Sequence, residues 1–98
     1  MKKDFIAIRD LTAQDIESIF KFTDQLKNQK GINTSLAGRS MGMIFQKPSN
    51  RTRVSFEVGM TQLGGHAIYL GPDTIKLGVR EETCDIAKTL SRYLDVIV

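Results

Sequence analysis

Apolar positions recur at helical spacing through residues 11–30, where Ile16, Ile19, Phe20 and Leu26, with Thr23 among them, fall on one face. Thr12 reads as the N-cap with Asp15 in the first turn, and Gly31 with the polar Asn33-Thr34-Ser35 ends the helix. Residues 41–45 form a short apolar run, the pattern of a buried strand. Gln46-Lys47-Pro48-Ser49 breaks that run. Residues 50–63 predict a second helix, with Val54, Val58 and Thr61 on one face, Phe56, Met60 and Leu63 beside it, and Gly64-Gly65 as the stop. A second buried strand follows at 67–70, closed by the turn pair Gly71-Pro72, and a loop runs to about Arg80. Glu81 and Glu82 open a third helix on which Ile86, Leu90 and Tyr93 share a face, and Val96-Ile97-Val98 begins a third strand.

Strand, helix, strand, helix, strand is the alternation of an α/β fold, a parallel sheet flanked by helices. No repeat, low-complexity tract or linker divides residues 1–98, which read as one domain. A domain this short buries only ~60–65% of the surface its unfolded chain exposes, so a further surface is expected to support it, either more chain or another subunit. Because a buried strand needs neighbours on both sides, the stop at Val98 inside an apolar strand is expected to mark a truncation.

Composition narrows the class. With 41% hydrophobic and 26% charged residues, the chain has the balance of a soluble globular domain. Its net charge of +3 is spread among acidic residues without a block of one sign, and no aromatic stacking residues sit near the cations, so nucleic acid is not the first inference. A phosphorylated small molecule suits the charge equally well. Cys84 is the single cysteine, which excludes an intrachain disulfide and fits a reducing compartment. No His/Cys set has metal-ligand spacing, so no metal is expected. The start Met1-Lys2-Lys3-Asp4-Phe5 lacks the apolar core of a signal peptide, and no apolar run reaches membrane length, so the cytoplasm is expected. His66 reads as a surface or strand-edge residue, and Cys84 as a small packing residue.

The stretch that carries chemistry is 45–53, where the end of a strand passes into a helix. Open α/β sheets place their ligands at such positions. The first turn of the helix offers unpaired N–H groups and the positive end of the dipole. Ser49 is a good N-cap, Thr52 adds a hydroxyl, and Arg51 adds a planar fork matched to phosphate oxygens. The Gly-x-x-x-x-Gly-Lys pattern is missing, so a compact phosphate is expected rather than a nucleotide triphosphate. Arg51 and Arg53 lie about 200° apart around a helix, which assigns Arg51 to the ligand and Arg53 to structure, paired with Glu57. On physical chemistry alone two readings stand: a dianion site, or a plain helix cap flanked by solvated arginines.

The segment Lys47-Pro48-Ser49-Asn50-Arg51-Thr52-Arg53-Val54-Ser55-Phe56-Glu57 resembles the Ser-x-Arg-Thr-Arg signature of aspartate and ornithine carbamoyltransferases. The likeness continues through Gln62-Leu63-Gly64-Gly65-His66-Ala67-Ile68-Tyr69-Leu70-Gly71-Pro72, then Leu77-Gly78-Val79-Arg80-Glu81-Glu82-Thr83, then Leu90-Ser91-Arg92-Tyr93-Leu94-Asp95. The Leu-Gly-x-x-Glu run looks like the ornithine branch. The resemblance implies an N-terminal carbamoyl-phosphate-binding domain, incomplete here, with the amino-acid-binding domain absent. It assigns the phosphate of carbamoyl phosphate to Ser49, Asn50, Arg51 and Thr52, with Arg51 also facing the carbonyl and bridging oxygen as the catalytic residue. Asn50 departs from the threonine usual there, at a position whose backbone N–H is unchanged. Lys76 stands where ornithine enzymes commonly carry Gln or His against the phosphate, on a loop that the family lends to a neighbouring subunit, and Arg80 lies close by; both also read as solvated loop cations.

The implied reaction transfers the carbamoyl group to the δ-amine of L-ornithine, giving citrulline and phosphate in arginine biosynthesis, without cofactor, metal or covalent intermediate. The acceptor would bind through the missing domain, and the intact enzyme would be a homotrimer with sites between subunits. The 98 residues alone are expected to bind carbamoyl phosphate weakly and not to turn over. Rival readings are a carbamoyltransferase for aspartate or an acylated ornithine, a non-catalytic phosphate-binding or assembly module, and a basic nucleic-acid module.

Overall fold

The computed structural model describes residues 4–75 and 82–98. The chain divides into two compact units, Met1–Gly31 and Ile32–Val98. In the first, a 3-10 turn at Ile8–Asp10 precedes helix α1, Ala13–Asn28. Thr12 and Asp15 form a complete capping box: Thr12 Oγ1 accepts the Asp15 N–H at 3.1 Å, and Asp15 Oδ2 accepts the Thr12 N–H at 3.0 Å. The apolar face of α1 is real in sequence yet largely uncovered, with Phe20 66% exposed.

The second unit holds a three-stranded parallel sheet in the order β2-β1-β3. Strand β1 is Ser40–Ile44, β2 is His66–Leu70 and β3 is Val96–Ile97. The β1–β2 register runs from Ser40 opposite His66 to Ile44 opposite Leu70, and Met41 faces Val96 across the other edge. Pairing with the third strand continues past its formal end, since the Val98 N–H donates to Gly42 O at 2.9 Å and the Ile44 N–H donates to Val98 O at 2.7 Å.

Only the central strand is buried, as its apolar run predicts. Met41, Met43 and Met60 form the core, with Leu36, Phe45, Ala67, Tyr69 and Val98 packed against it. Methionine fills irregular gaps between sheet and helix better than a branched side chain would. The outer strands differ from the expectation of burial: Ile68, Val96 and Ile97 are at least 40% exposed, because this sheet has no fourth strand or second helical layer over them among the described residues. Gly42 lets the Leu94 side chain lie directly on β1, where an added Cβ would collide with it.

Helix α2, Asn50–Gln62, ends as the Gly64-Gly65 pair predicts. Gly64 takes φ 88°, its N–H donates to Thr61 O at 3.0 Å, and the Gly65 N–H donates to Met60 O at 2.9 Å, which is a Schellman closure. Three expectations are corrected. Gly71-Pro72 does not simply turn the chain: Pro72 opens a short helix α3, Pro72–Ile75, where a fixed φ and missing N–H suit a first helical position. Helix α4, Thr83–Leu90, begins after Glu82 and stops before Tyr93, which sits 78% exposed in the following turn instead of sharing the buried face of Ile86. Cys84 is exposed on α4 and is not a packing residue. The stretch 76–81, including the expected helix start at Glu81, lies outside the described residues.

Candidate functional site

The strand order places the site. Chain connectivity leaves β1 toward β2 on one side and returns to β3 on the other, so the order in which strands are added reverses at β1. In an open parallel sheet, the crevice beyond the carboxyl ends of strands at that reversal is where ligands bind. The segment that leaves β1 there is Phe45-Gln46-Lys47-Pro48-Ser49, which delivers the chain into α2.

Ser49 is the residue before α2, as expected, but its hydroxyl makes no capping bond. Its backbone explains this. Thr12 caps α1 from φ −81°, ψ 164°, whereas Ser49 sits at φ −150°, ψ 101°. The first ladder bond is the Arg53 N–H to Ser49 O, at 3.3 Å. The N–H groups of Asn50, Arg51 and Thr52 therefore precede the ladder, and none of them meets an acceptor among the described residues. Ser49 is half-buried, while Asn50, Arg51 and Thr52 are exposed. Four of the expected residues thus converge on one helical turn whose donors are unpaired.

The two arginines separate as their spacing predicts. Arg53 turns toward the sheet, its Cζ 3.7 Å from the centroid of the Tyr69 ring and its Nε 3.5 Å from Glu57 Oε2. Arg51 makes no ion pair with any described residue. Three N–H groups without a described acceptor at the positive end of a helix, on a turn that also carries Arg51, suit a compact anion. Lys76 and Arg80 lie outside the described residues.

A cleft at the same end of the sheet is lined by Gln46, Pro48, Tyr69, Gly71, Pro72 and Asp73. An apolar groove lies at the opposite end, against Leu36, Met41, Phe56, Met60, Leu63 and Val96. Its one cation, Arg39, is already paired with Asp95 at 3.1 Å, so this groove offers an anion nothing. Donor chemistry, not cavity size, marks the α2 turn as the site. Among the described residues no three His, Cys, Asp or Glu side chains gather for a metal, and no helix is long and apolar enough to cross a membrane.

Two contacts escaped the sequence, one beside the α2 turn and one at the other end of the sheet. Tyr69 reads in the sequence only as a strand residue, and Asp95 as the residue before an apolar run. Asp95 Oδ2 accepts the Ser40 N–H at 2.9 Å, and its carboxyl is held below the usual range first by that bond and then by Arg39. No local spacing signals either contact.

The family described as aspartate/ornithine carbamoyltransferase, carbamoyl-P binding domain, matches residues 3–98. The chain belongs to this carbamoyltransferase family. Among curated relatives, the ornithine carbamoyltransferase of Haloquadratum walsbyi is 50% identical over 95 residues, covering 97% of this chain and 31% of that protein. The chloroplastic ornithine carbamoyltransferase of Pisum sativum is 52% identical over 103 residues, covering 98% of this chain and 27% of that protein. Among solved structures, the ornithine carbamoyltransferase of Pyrococcus furiosus superposes with a TM-score of 0.81 at 42% identity, over 96% of this chain and 31% of that one. This carbamoyltransferase-family chain thus spans about a third of the length of the curated relatives it matches. The α/β fold of this chain is the one it shares with the superposed Pyrococcus furiosus structure.

Proposed function

We propose that this chain provides the carbamoyl-phosphate half of an ornithine carbamoyltransferase active site, as an N-terminal domain that works with an amino-acid-binding domain. The observation that carries the reading is the α2 turn: Ser49 at its start with no capping bond, N–H groups at Asn50, Arg51 and Thr52 that meet no acceptor among the described residues, and on the same turn Arg51, which pairs with no described residue. The identity to ornithine enzymes over nearly the whole chain supports ornithine as the acceptor.

In this reading the phosphate of carbamoyl phosphate sits on the three N–H groups, with the Ser49 and Thr52 hydroxyls as further donors. Arg51 reaches from the phosphate to the carbamoyl carbonyl and the bridging oxygen. As the δ-amine of L-ornithine attacks the carbamoyl carbon, the bond from that carbon to the bridging oxygen breaks and the electron pair leaves on phosphate. Charge grows on atoms the guanidinium already faces, so Arg51 favours the transition state over the bound substrate. The amine's proton passes to the departing phosphate, and the products are citrulline and phosphate. No cofactor or metal takes part. Holding both substrates in line supplies the remainder of the rate. Lys76 and Arg80 are assigned to the phosphate held by a neighbouring subunit in a homotrimer. Arginine biosynthesis in the cytoplasm is the setting we assign.

Calorimetric titration with carbamoyl phosphate tests the reading. The chain is expected to bind it, and Arg51→Ala to bind about 1.5–3 kcal/mol more weakly, the worth of a hydrogen bond to a charged group. Equal affinities in the two proteins would exclude Arg51 from the site.

A further inference from the structure

We propose that Tyr69 is a positioning residue: its ring fixes the rotation of α2 about its own axis and thereby aims Arg51. The proposal deepens the reading of the α2 turn as a phosphate site and rests on it.

The Arg53 guanidinium lies 3.7 Å from the Tyr69 ring centroid, well inside the ~6 Å over which a cation is drawn to an aromatic face. Glu57 holds the same guanidinium from within α2, Nε to Oε2 at 3.5 Å. Arg53 is also the residue whose N–H starts the helical ladder, so this contact grips α2 at its first turn. The ring itself is held. Tyr69 stands opposite Met43 in the β1–β2 register, and Met43 is completely buried. Phe45 meets the ring edge-on, centroids 6.0 Å apart at 67°. Gly71 closes the remaining side, where even a Cβ would come within 3.3 Å of the ring.

Helical geometry converts this grip into aim. Residues two apart point about 200° away from each other, so a helix that turns Arg53 onto β2 turns Arg51 to the other side. With side chains reaching about 5–6 Å from the axis, a rotation of about 30° moves a tip by about 3 Å, more than a hydrogen bond tolerates. Met60 and the Schellman closure hold the far end of α2, but at its first turn the Ser49 hydroxyl makes no capping bond that would resist such a rotation. The contact between Arg53 and Tyr69 resists it.

The test compares carbamoyl phosphate affinity, by calorimetry, in the 98-residue chain and in Tyr69→Phe, Tyr69→Leu, Arg53→Gln and the Tyr69→Leu/Arg53→Gln double variant. Tyr69→Phe keeps the ring face and is expected to bind as the parent does. Tyr69→Leu and Arg53→Gln should each bind about three- to tenfold more weakly, and the double variant no more weakly than Arg53→Gln alone, because both singles break the same cation–ring contact. Parent-like affinity in Tyr69→Leu, or losses that add in the double variant, overturns the proposal. If Tyr69→Leu does not fold, Arg53→Gln against Arg53→Lys decides, with weakening expected only for glutamine. The underlying site reading fails by a different result, Arg51→Ala binding as tightly as the parent, and the positioning role then falls with it.

Discussion

Arg39 and Asp95 stand 56 residues apart in sequence, yet Nη1 and Oδ1 meet at 3.1 Å where β1 begins and the chain turns into β3. The second oxygen of Asp95 accepts the Ser40 N–H, and the Asp95 N–H donates to Ser40 O at 2.9 Å, so one residue closes the start of the β1–β3 pair. That junction lies at the end of the sheet opposite the α2 turn.

Acid should loosen this junction. The Asp95 carboxyl has a pKa lowered in the fold, by the Ser40 N–H first and Arg39 second. A depressed carboxylate stabilises the fold above its unfolded pKa, and that contribution disappears as pH falls through the folded value. Hydrogen exchange at Val98, whose N–H pairs with Gly42, should therefore accelerate below the ordinary carboxylate range. Asp95→Asn should exchange faster at neutral pH and lose most of that acid response. An unchanged pH profile in Asp95→Asn would remove Asp95 from this role.

The Schellman closure makes Gly64 costly to replace. Its φ of 88° is left-handed, and an added Cβ would lie 3.2 Å from Thr34 Cα. Gly64→Ala should lower unfolding free energy in urea by about 1–2 kcal/mol from the backbone conformation, with the contact adding to it. Gly31, at φ 91° with open space around it, is the comparison that isolates strain: Gly31→Ala should cost less. Equal losses at both sites would show that Thr34 yields freely.

Met43 carries the core. It is fully buried on the central strand, so Met43→Ala should cost about 2–5 kcal/mol, a large share of what a domain of this size possesses. Urea titration should show that loss, whereas Val54→Ala, on a half-exposed position of α2, should fall well below it.

Lys76→Ala and Arg80→Ala should each weaken carbamoyl phosphate binding by roughly 1.4- to fivefold, the ~0.2–1 kcal/mol of a solvated ion pair, and the loss should shrink in salt. Affinity insensitive to both substitutions would assign them to solvent. Citrulline should not form from the purified 98-residue chain with ornithine, and its detection would contradict the need for a second domain.

Much of this was legible in order along the chain. The apolar run at 41–45, the Gly64-Gly65 stop and the Thr12–Asp15 cap are signals written within four or five residues, and the structure places each where it was expected. Arg53 and Glu57 were legible for the same reason, as an i,i+4 pair. What was not legible depends on residues far apart or on backbone angles. Pro72 looks identical whether it turns a chain or begins a helix of four residues. Tyr93 continues a helical spacing that Ser91 has already ended. The serine at 49 announces a cap, but the angle that leaves its hydroxyl free is set by how β1 delivers the chain. Arg39 meeting Asp95, and Tyr69 meeting Arg53, needed the sheet first.

The central claim is that the opening turn of α2 holds a phosphate through its backbone. Amide chemical shifts of the 15N-labelled chain during titration with carbamoyl phosphate test this most directly. The N–H signals of Asn50, Arg51 and Thr52 should move furthest and saturate together, with inorganic phosphate moving the same signals less. Shifts concentrated elsewhere, or none at these three residues at saturating ligand, would contradict the account.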